Sequence, residues 1–95
     1  IVPADDAERI GLVNKDVPME KLEETTMEHA DKLSNMSPVA LQMGKTAFYK
    51  MQDMSYESAL TYLSDTFALL SSTNDASEGV DAFLNKRSPN YKEEL

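Results

Sequence analysis

The stretch "NMSPVALQMGKTAFYKM", residues 35–51, decides the fold. Ser37 before Pro38 reads as a helix start, because the hydroxyl can accept from a first-turn amide and proline has no amide to leave unpaired. From Ala40 onward the small and apolar residues recur at Leu41, Gly44, Ala47, Phe48 and Met51, which is one face of a helix. Gly44 in that face costs up to about 1 kcal/mol against alanine, so a close backbone contact is expected there. The reading is a helix over 38–52.

The same grammar extends in both directions. Ser55 caps a helix over about 56–72, with Tyr56, Ala59, Leu60, Leu63, Phe67, Leu70 and Ser71 on one face. "STND" ends it, and a shorter helix over 75–87 is expected to turn Ala76, Val80, Phe83 and Leu84 inward. Ser88-Pro89 stops that helix. Toward the start, Pro18 opens a helix over 18–35 with a narrow stripe at Leu22, Thr26, Ala30 and Leu33. Its other faces are heavily charged, so a surface position is expected. Pro3, Asp5, Asp6 and Glu8 mark a short helix over 3–10, and Gly11 reads as its left-handed cap. The expected fold is all-α: one small domain over 1–95, a bundle of four to five helices joined by short turns.

Charge and composition narrow the partners. The 95 residues carry 17 acids against 9 Lys and Arg, a formal net charge of -8. That balance argues against nucleic acid and against anionic membranes, both of which need a broad basic surface. There is no cysteine, hence no disulfide framework and no thiol chemistry. The longest clear apolar run is "FALL", 67–70, far short of the roughly 18 residues that span a bilayer. The chain opens "IVPADDAERIGLVN", without methionine and already entering a helix, so it is expected to be a piece of a longer polypeptide.

Few residues suggest chemistry. Lys86 and Arg87 sit together near the expected end of the last helix, where cations can interact with exposed carbonyls or clamp a phosphate. Lys45 and Lys50 lie off the apolar stripe of their helix and read as a solvated face. His29, in "MEHAD", has no second histidine or cysteine near it and reads as a surface residue with no metal site. Of the six methionines only Met51 falls on a core stripe, which leaves apolar surface for an interface near Met43. No G-x-S-x-G elbow, P-loop or G-x-G-x-x-G occurs. Paired acids such as Asp5 with Asp6 and Glu23 with Glu24 sit in exposed turns, without the burial that tunes a general acid. No catalytic residue is assigned.

Three segments carry a resemblance. They are "PADDAERIGLVNKDVP" (3–18), "ADKLSNMSPVALQMGKTAF" (30–48) and "SSTNDASEGVDAFLNKRSPNY" (71–91). In order and in register, they resemble the C-terminal third of an enoyl-CoA hydratase/isomerase (crotonase) family member. The last follows that family's D-x-x-E-G-x-x-A-F-x-x-K-R-x-P-x-[FY] tail. Asp16 replaces a usual apolar residue, and "GKTAFYK" is similar to the enoyl-CoA hydratase domain-containing subgroup.

The resemblance implies a parent enzyme of acyl-CoA and fatty acid metabolism that hydrates or isomerises an enoyl-CoA thioester. Its ββα core, oxyanion hole and proton-moving glutamates would lie outside this chain. What falls here is the helical C-terminal domain, which supports assembly of a homotrimer or hexamer and covers the acyl-CoA site. Its partners would be the missing N-terminal core and acyl-CoA, with no nucleic acid, no membrane, no metal and no cofactor beyond coenzyme A as part of the substrate. The residues implied to contact CoA are Lys86, Lys45 and Phe83, with Phe48 packing or facing the adenine and Arg87 structural. The compartment implied is the cytoplasm in a bacterium or an organelle matrix in a eukaryote. Two other readings stand beside this one: an independent acidic helical module that binds protein, and a non-catalytic parent kept as a scaffold.

Overall fold

Short-range signals place the helices. The computed structural model describes residues 1–92, and they are all-helical, with no strand among them. Five α-helices follow in order: α1 (Ala4–Arg9), α2 (Leu22–Ser34), α3 (Pro38–Met51), α4 (Tyr56–Ser71) and α5 (Asn74–Leu84), with a 3-10 turn at Met19–Lys21 before α2. Ser37, Ser55 and Thr73 cap α3, α4 and α5, each side-chain oxygen accepting from the amide three residues on. The chain divides into two compact units, Ile1–Leu33 and the part from Ser34 onward.

In the first unit α1 ends as its sequence suggests. Gly11 sits at φ 81, the Leu12 amide donates to Ala7 O at 2.8 Å, and the Gly11 amide donates to Glu8 O at 3.1 Å. This is a Schellman ending, with glycine in the left-handed position. The Asp16 amide donates to Glu8 Oε2 at 2.6 Å and folds the following loop back on α1. α2 buries none of its residues, which agrees with a surface helix, and its apolar stripe at Leu22 and Leu33 is exposed too.

In the second unit α4 packs against both α3 and α5. The buried apolar side chains there are small: Val39, Ala47 and Ala82. Three expectations fail. Gly44 makes no close contact, since a Cβ built on it meets nothing within 4 Å. On α4 the inward residues include Ala59, Leu63 and Leu70, while Tyr56, Leu60 and Phe67 face out. On α5 the buried residues are Asp75 and Ala82, and the apolar face of Val80, Phe83 and Leu84 is exposed. The 3.6-residue period picks out a stripe without saying which stripe is covered. Asp75, Ala82 and the half-buried Glu78 and Gly79 share the opposite face, and that face has the partners.

α5 also stops earlier than 87. Asn85 is its C-cap, and Lys86 takes a left-handed conformation at φ 52. The Lys86 amide donates to Phe83 O at 3.3 Å, and the Arg87 amide donates to Ala82 O at 3.0 Å. The arrangement repeats the end of α1, with a lysine where α1 has glycine. Lys86→Gly should therefore raise stability by about 1 kcal/mol, as relief of the side-chain clash outweighs the extra freedom of unfolded glycine. The urea midpoint of the chain measures it, and a lowered midpoint would contradict the strain.

Candidate functional site

The polar face of α5 receives the chain that follows it. After Lys86 the tail returns along the helix and meets it at successive turns. Arg87 reaches Glu78 with both terminal nitrogens, Nη1 to Oε1 at 2.6 Å and Nη2 to Oε2 at 3.1 Å. Nη2 also donates to Asp81 Oδ2 at 2.5 Å, and Nη1 to Ser88 O at 3.3 Å. The Asn90 amide donates to Glu78 Oε1 at 2.9 Å, and the Lys92 amide to Asp75 Oδ1 at 3.0 Å. Tyr91 lies over Gly79, where an added Cβ would stand 3.0 Å from the phenol oxygen.

Asp75 is 4% exposed and has a second partner. Ser37 Oγ donates to Asp75 Oδ2 at 2.6 Å while accepting from the Ala40 amide at 3.2 Å. One hydroxyl thus caps α3 and ties it to the first turn of α5. The tail motif visible in the sequence has a structural purpose: Asp75, Glu78, Gly79, Arg87 and Tyr91 fasten the tail to the helix.

The electrostatics follow from that geometry. The two hydrogen bonds from Arg87, then the amide of Asn90, hold the Glu78 carboxyl well below its ordinary 4.5, at about 2. The same carboxylates raise the Arg87 guanidinium further above its ordinary value. A carboxyl held this low is ionised throughout the physiological range and is a poor proton acceptor. Its folded pKa is depressed, so its contribution to stability is present above the unfolded value and is lost as pH falls from about 4.5 toward 2. The Asn90 amide resonance should titrate over that window, and Glu78→Gln should abolish the step. An Asn90 resonance unchanged down to pH 2 would refute the bond.

The apolar face of α5 and the end of α4 border an open groove of about 770 Å³. Phe67, Leu70, Val80, Phe83 and Leu84 line it, with Tyr91 and Asp75 also on its wall. Phe83 is 82% exposed and Phe67 71%. Of the residues implied by resemblance to contact CoA, Phe83 lies on this wall. Lys86 is exposed just past α5, in its left-handed position, and Lys45 is exposed on α3. Neither lysine is among the residues lining the groove. Arg87 is committed to Glu78 and Asp81, carboxylates on α5 that the sequence reading did not name as its partners. His29 Nδ1 lies 3.0 Å from Thr25 O on exposed α2, and no cluster of metal-ligating side chains occurs among the described residues. No helix among them is long and apolar enough to cross a membrane.

Sequence reasoning missed Asp75 and Glu78 as anchors, Ser37 as a donor, and Tyr91 as the ring over Gly79. The spacing D-x-x-E-G was visible, but its partners lie up to 38 residues away.

The family model described as enoyl-CoA hydratase/isomerase matches residues 1–94. The 2,3-dehydroadipyl-CoA hydratase of Escherichia coli is 35% identical over 91 residues, covering 96% of this chain and 36% of that protein. The mitochondrial enoyl-CoA hydratase domain-containing protein 3 of Mus musculus is 36% identical over 88 residues, covering 93% of this chain and 29% of that protein. Among solved structures, an enoyl-CoA hydratase of Mycobacterium smegmatis superposes with a TM-score of 0.89 at 37% identity, covering 95% of this chain and 35% of that one. The chain spans about a third of the length of the relatives it matches.

Proposed function

Because the chain belongs to the enoyl-CoA hydratase/isomerase family, we propose that it serves as the C-terminal assembly and site-covering domain of an acyl-CoA hydratase or isomerase. The observation that carries this reading is the outward apolar face. Val80, Phe83 and Leu84 on α5 and Phe67 on α4 are exposed around an open groove, while the buried apolar residues are alanines and a valine. A contiguous apolar patch left exposed in this way marks a docking surface. On this reading that surface is the acyl-CoA-binding core of the parent, in its own or a neighbouring subunit.

The chemistry belongs to the core. Addition of water to an enoyl thioester, or its isomerisation, passes through an enolate. Oriented donors at the thioester oxygen usually do more than any other group to stabilise such an intermediate. The strongly shifted carboxylate here is Glu78, which is engaged by Arg87 and suited to structure, not to proton transfer. Toward coenzyme A the chain would offer the ammonium groups of Lys86 and Lys45 to phosphates, and the ring of Phe83 to the adenine side. Arg87 would hold the turn that presents Lys86.

The 95-residue chain is therefore expected not to hydrate crotonyl-CoA, as followed by loss of the enoyl thioester absorbance, and to bind CoA weakly at most by calorimetry. Hydration at an enzyme-like rate would overturn the reading. So would tight CoA binding by the chain that Lys86→Ala abolishes, because the site would then be self-contained.

A further inference from the structure

We propose that a second copy of this chain docks on the open groove, the two α5 helices pairing antiparallel around a two-fold axis through Val80. The pairing occupies the face proposed above to meet the parent's core, but it depends on area, charge and shape, not on the family. The two acids on the groove wall already have partners. Asp75 accepts from the Ser37 hydroxyl and the Lys92 amide, and Asp81 from Arg87 and the side chain of Asn85. The apolar residues beside them are bare: Phe67, Val80, Phe83 and Leu84 are between 61% and 82% exposed. That balance favours an apolar occupant over a cationic one.

The area suffices for a pair. Scaled by exposure, the two rings leave about 300 Å² open. Val80 and Leu84 bring the patch to about 500 Å², in the range of surfaces that take a partner. Two such patches laid together remove about 1,000 Å², the lower limit of a specific interface. Near that limit the pairing is weak, filling at high micromolar concentration and leaving the single chain at a few micromolar.

Shape makes the second copy the fitting occupant. At 3.6 residues per turn, Ala76, Ser77, Val80, Phe83 and Leu84 span an arc of about 120° centred on Val80. All five line the groove. In an antiparallel pair with its axis at Val80, positions equally far on either side face each other. Leu84 then meets Ala76, and Phe83 meets Ser77, so each large side chain finds a small one. A two-fold contact needs one patch that complements itself, and this arc does.

Sedimentation equilibrium of the 95-residue chain, from low micromolar to millimolar, should show a reversible monomer–dimer equilibrium. Each copy carries a formal charge of -8, so added salt should tighten the dimer several-fold by screening repulsion. Phe83→Ala should weaken it at least tenfold. Met19→Ala, at an 81% exposed residue of the first unit, should leave it unchanged. The chain has no cysteine, so single introduced thiols test the axis. Under a mild thiol oxidant, Val80→Cys should cross-link to a dimer several-fold faster than Met19→Cys. A chain that stays monomeric at millimolar concentration overturns the pairing, as does a dimer that Phe83→Ala leaves intact or that salt dissociates. Equal cross-linking rates overturn the axis at Val80, and with it the pairing. None of these results bears on turnover of crotonyl-CoA, so the pairing and the proposed function fail separately.

Discussion

Asp75→Ala should be the most damaging single substitution in the chain, lowering stability by about 3 kcal/mol. Both carboxylate oxygens are used: Oδ2 accepts from the Ser37 hydroxyl at 2.6 Å and Oδ1 from the Lys92 amide at 3.0 Å. The site is nearly closed to water, with Asp75 at 4% exposed and Ser37 also buried. Truncation leaves the serine hydroxyl without its acceptor, and hydrogen bonds to charged groups are worth about 1.5–3 kcal/mol each. The substitution also frees the end of the tail and loosens α5 from the start of α3. Asp75→Asn should cost less, because its amide oxygen can still accept from one partner while its NH₂ faces the other donor. Urea unfolding followed by circular dichroism measures both. A loss below about 1 kcal/mol for Asp75→Ala would show that the network contributes little.

Ala82→Leu should rank second, at about 2–3 kcal/mol of destabilisation. Ala82 is 1% exposed, and its carbonyl accepts the Arg87 amide that turns the chain out of the helix. A leucine there must displace α5, and with it the start of the tail, because packed interiors do not absorb extra methylenes. The adjacent residue gives the contrast. Phe83→Ala removes a side chain that is 82% exposed and should change stability by about 0.5 kcal/mol or less. The helical periodicity alone predicts the opposite ranking, with Phe83 inward and costly. Comparing the two urea midpoints thus tests the orientation of α5 directly. A greater loss for Phe83→Ala would restore the orientation expected from the pattern.

Why some features are legible in the sequence and others are not follows from the range of the interactions. The caps at Ser37 and Ser55 and the left-handed Gly11 involve residues within one or two turns, so composition and spacing reveal them. The family resemblance rests on the same visible spacing. The buried face of α5 finds its partners instead in groups 17 residues apart at Asp75 and Lys92 and 38 apart at Ser37 and Asp75. No local period encodes such pairs, and so the outward position of Phe83 follows from no pattern in α5. Gly44 suggests a close approach that is absent, because within this chain that part of α3 faces open space. The turn at Lys86 is hidden because lysine seldom adopts φ above zero, so nothing in "FLNKRS" marks the helix end at Leu84.

The return of the tail along α5 has a metrical consequence. Successive acceptors on the helix, Asp75 and Glu78, are separated by one turn less a fraction, about 4.5 Å of rise at 1.5 Å per residue. The matching donors, Lys92 and Asn90, are two residues apart, a reach of at most about 6.6 Å at 3.3 Å for each extended residue. A two-step ruler is thereby read against a three-step one, and alternate residues such as Tyr91 are left to dip between them. Lengthening or shortening the segment between Arg87 and Tyr91 by a single residue would put side chains where amides now meet carboxylates. The spacing is a gauge as much as a motif.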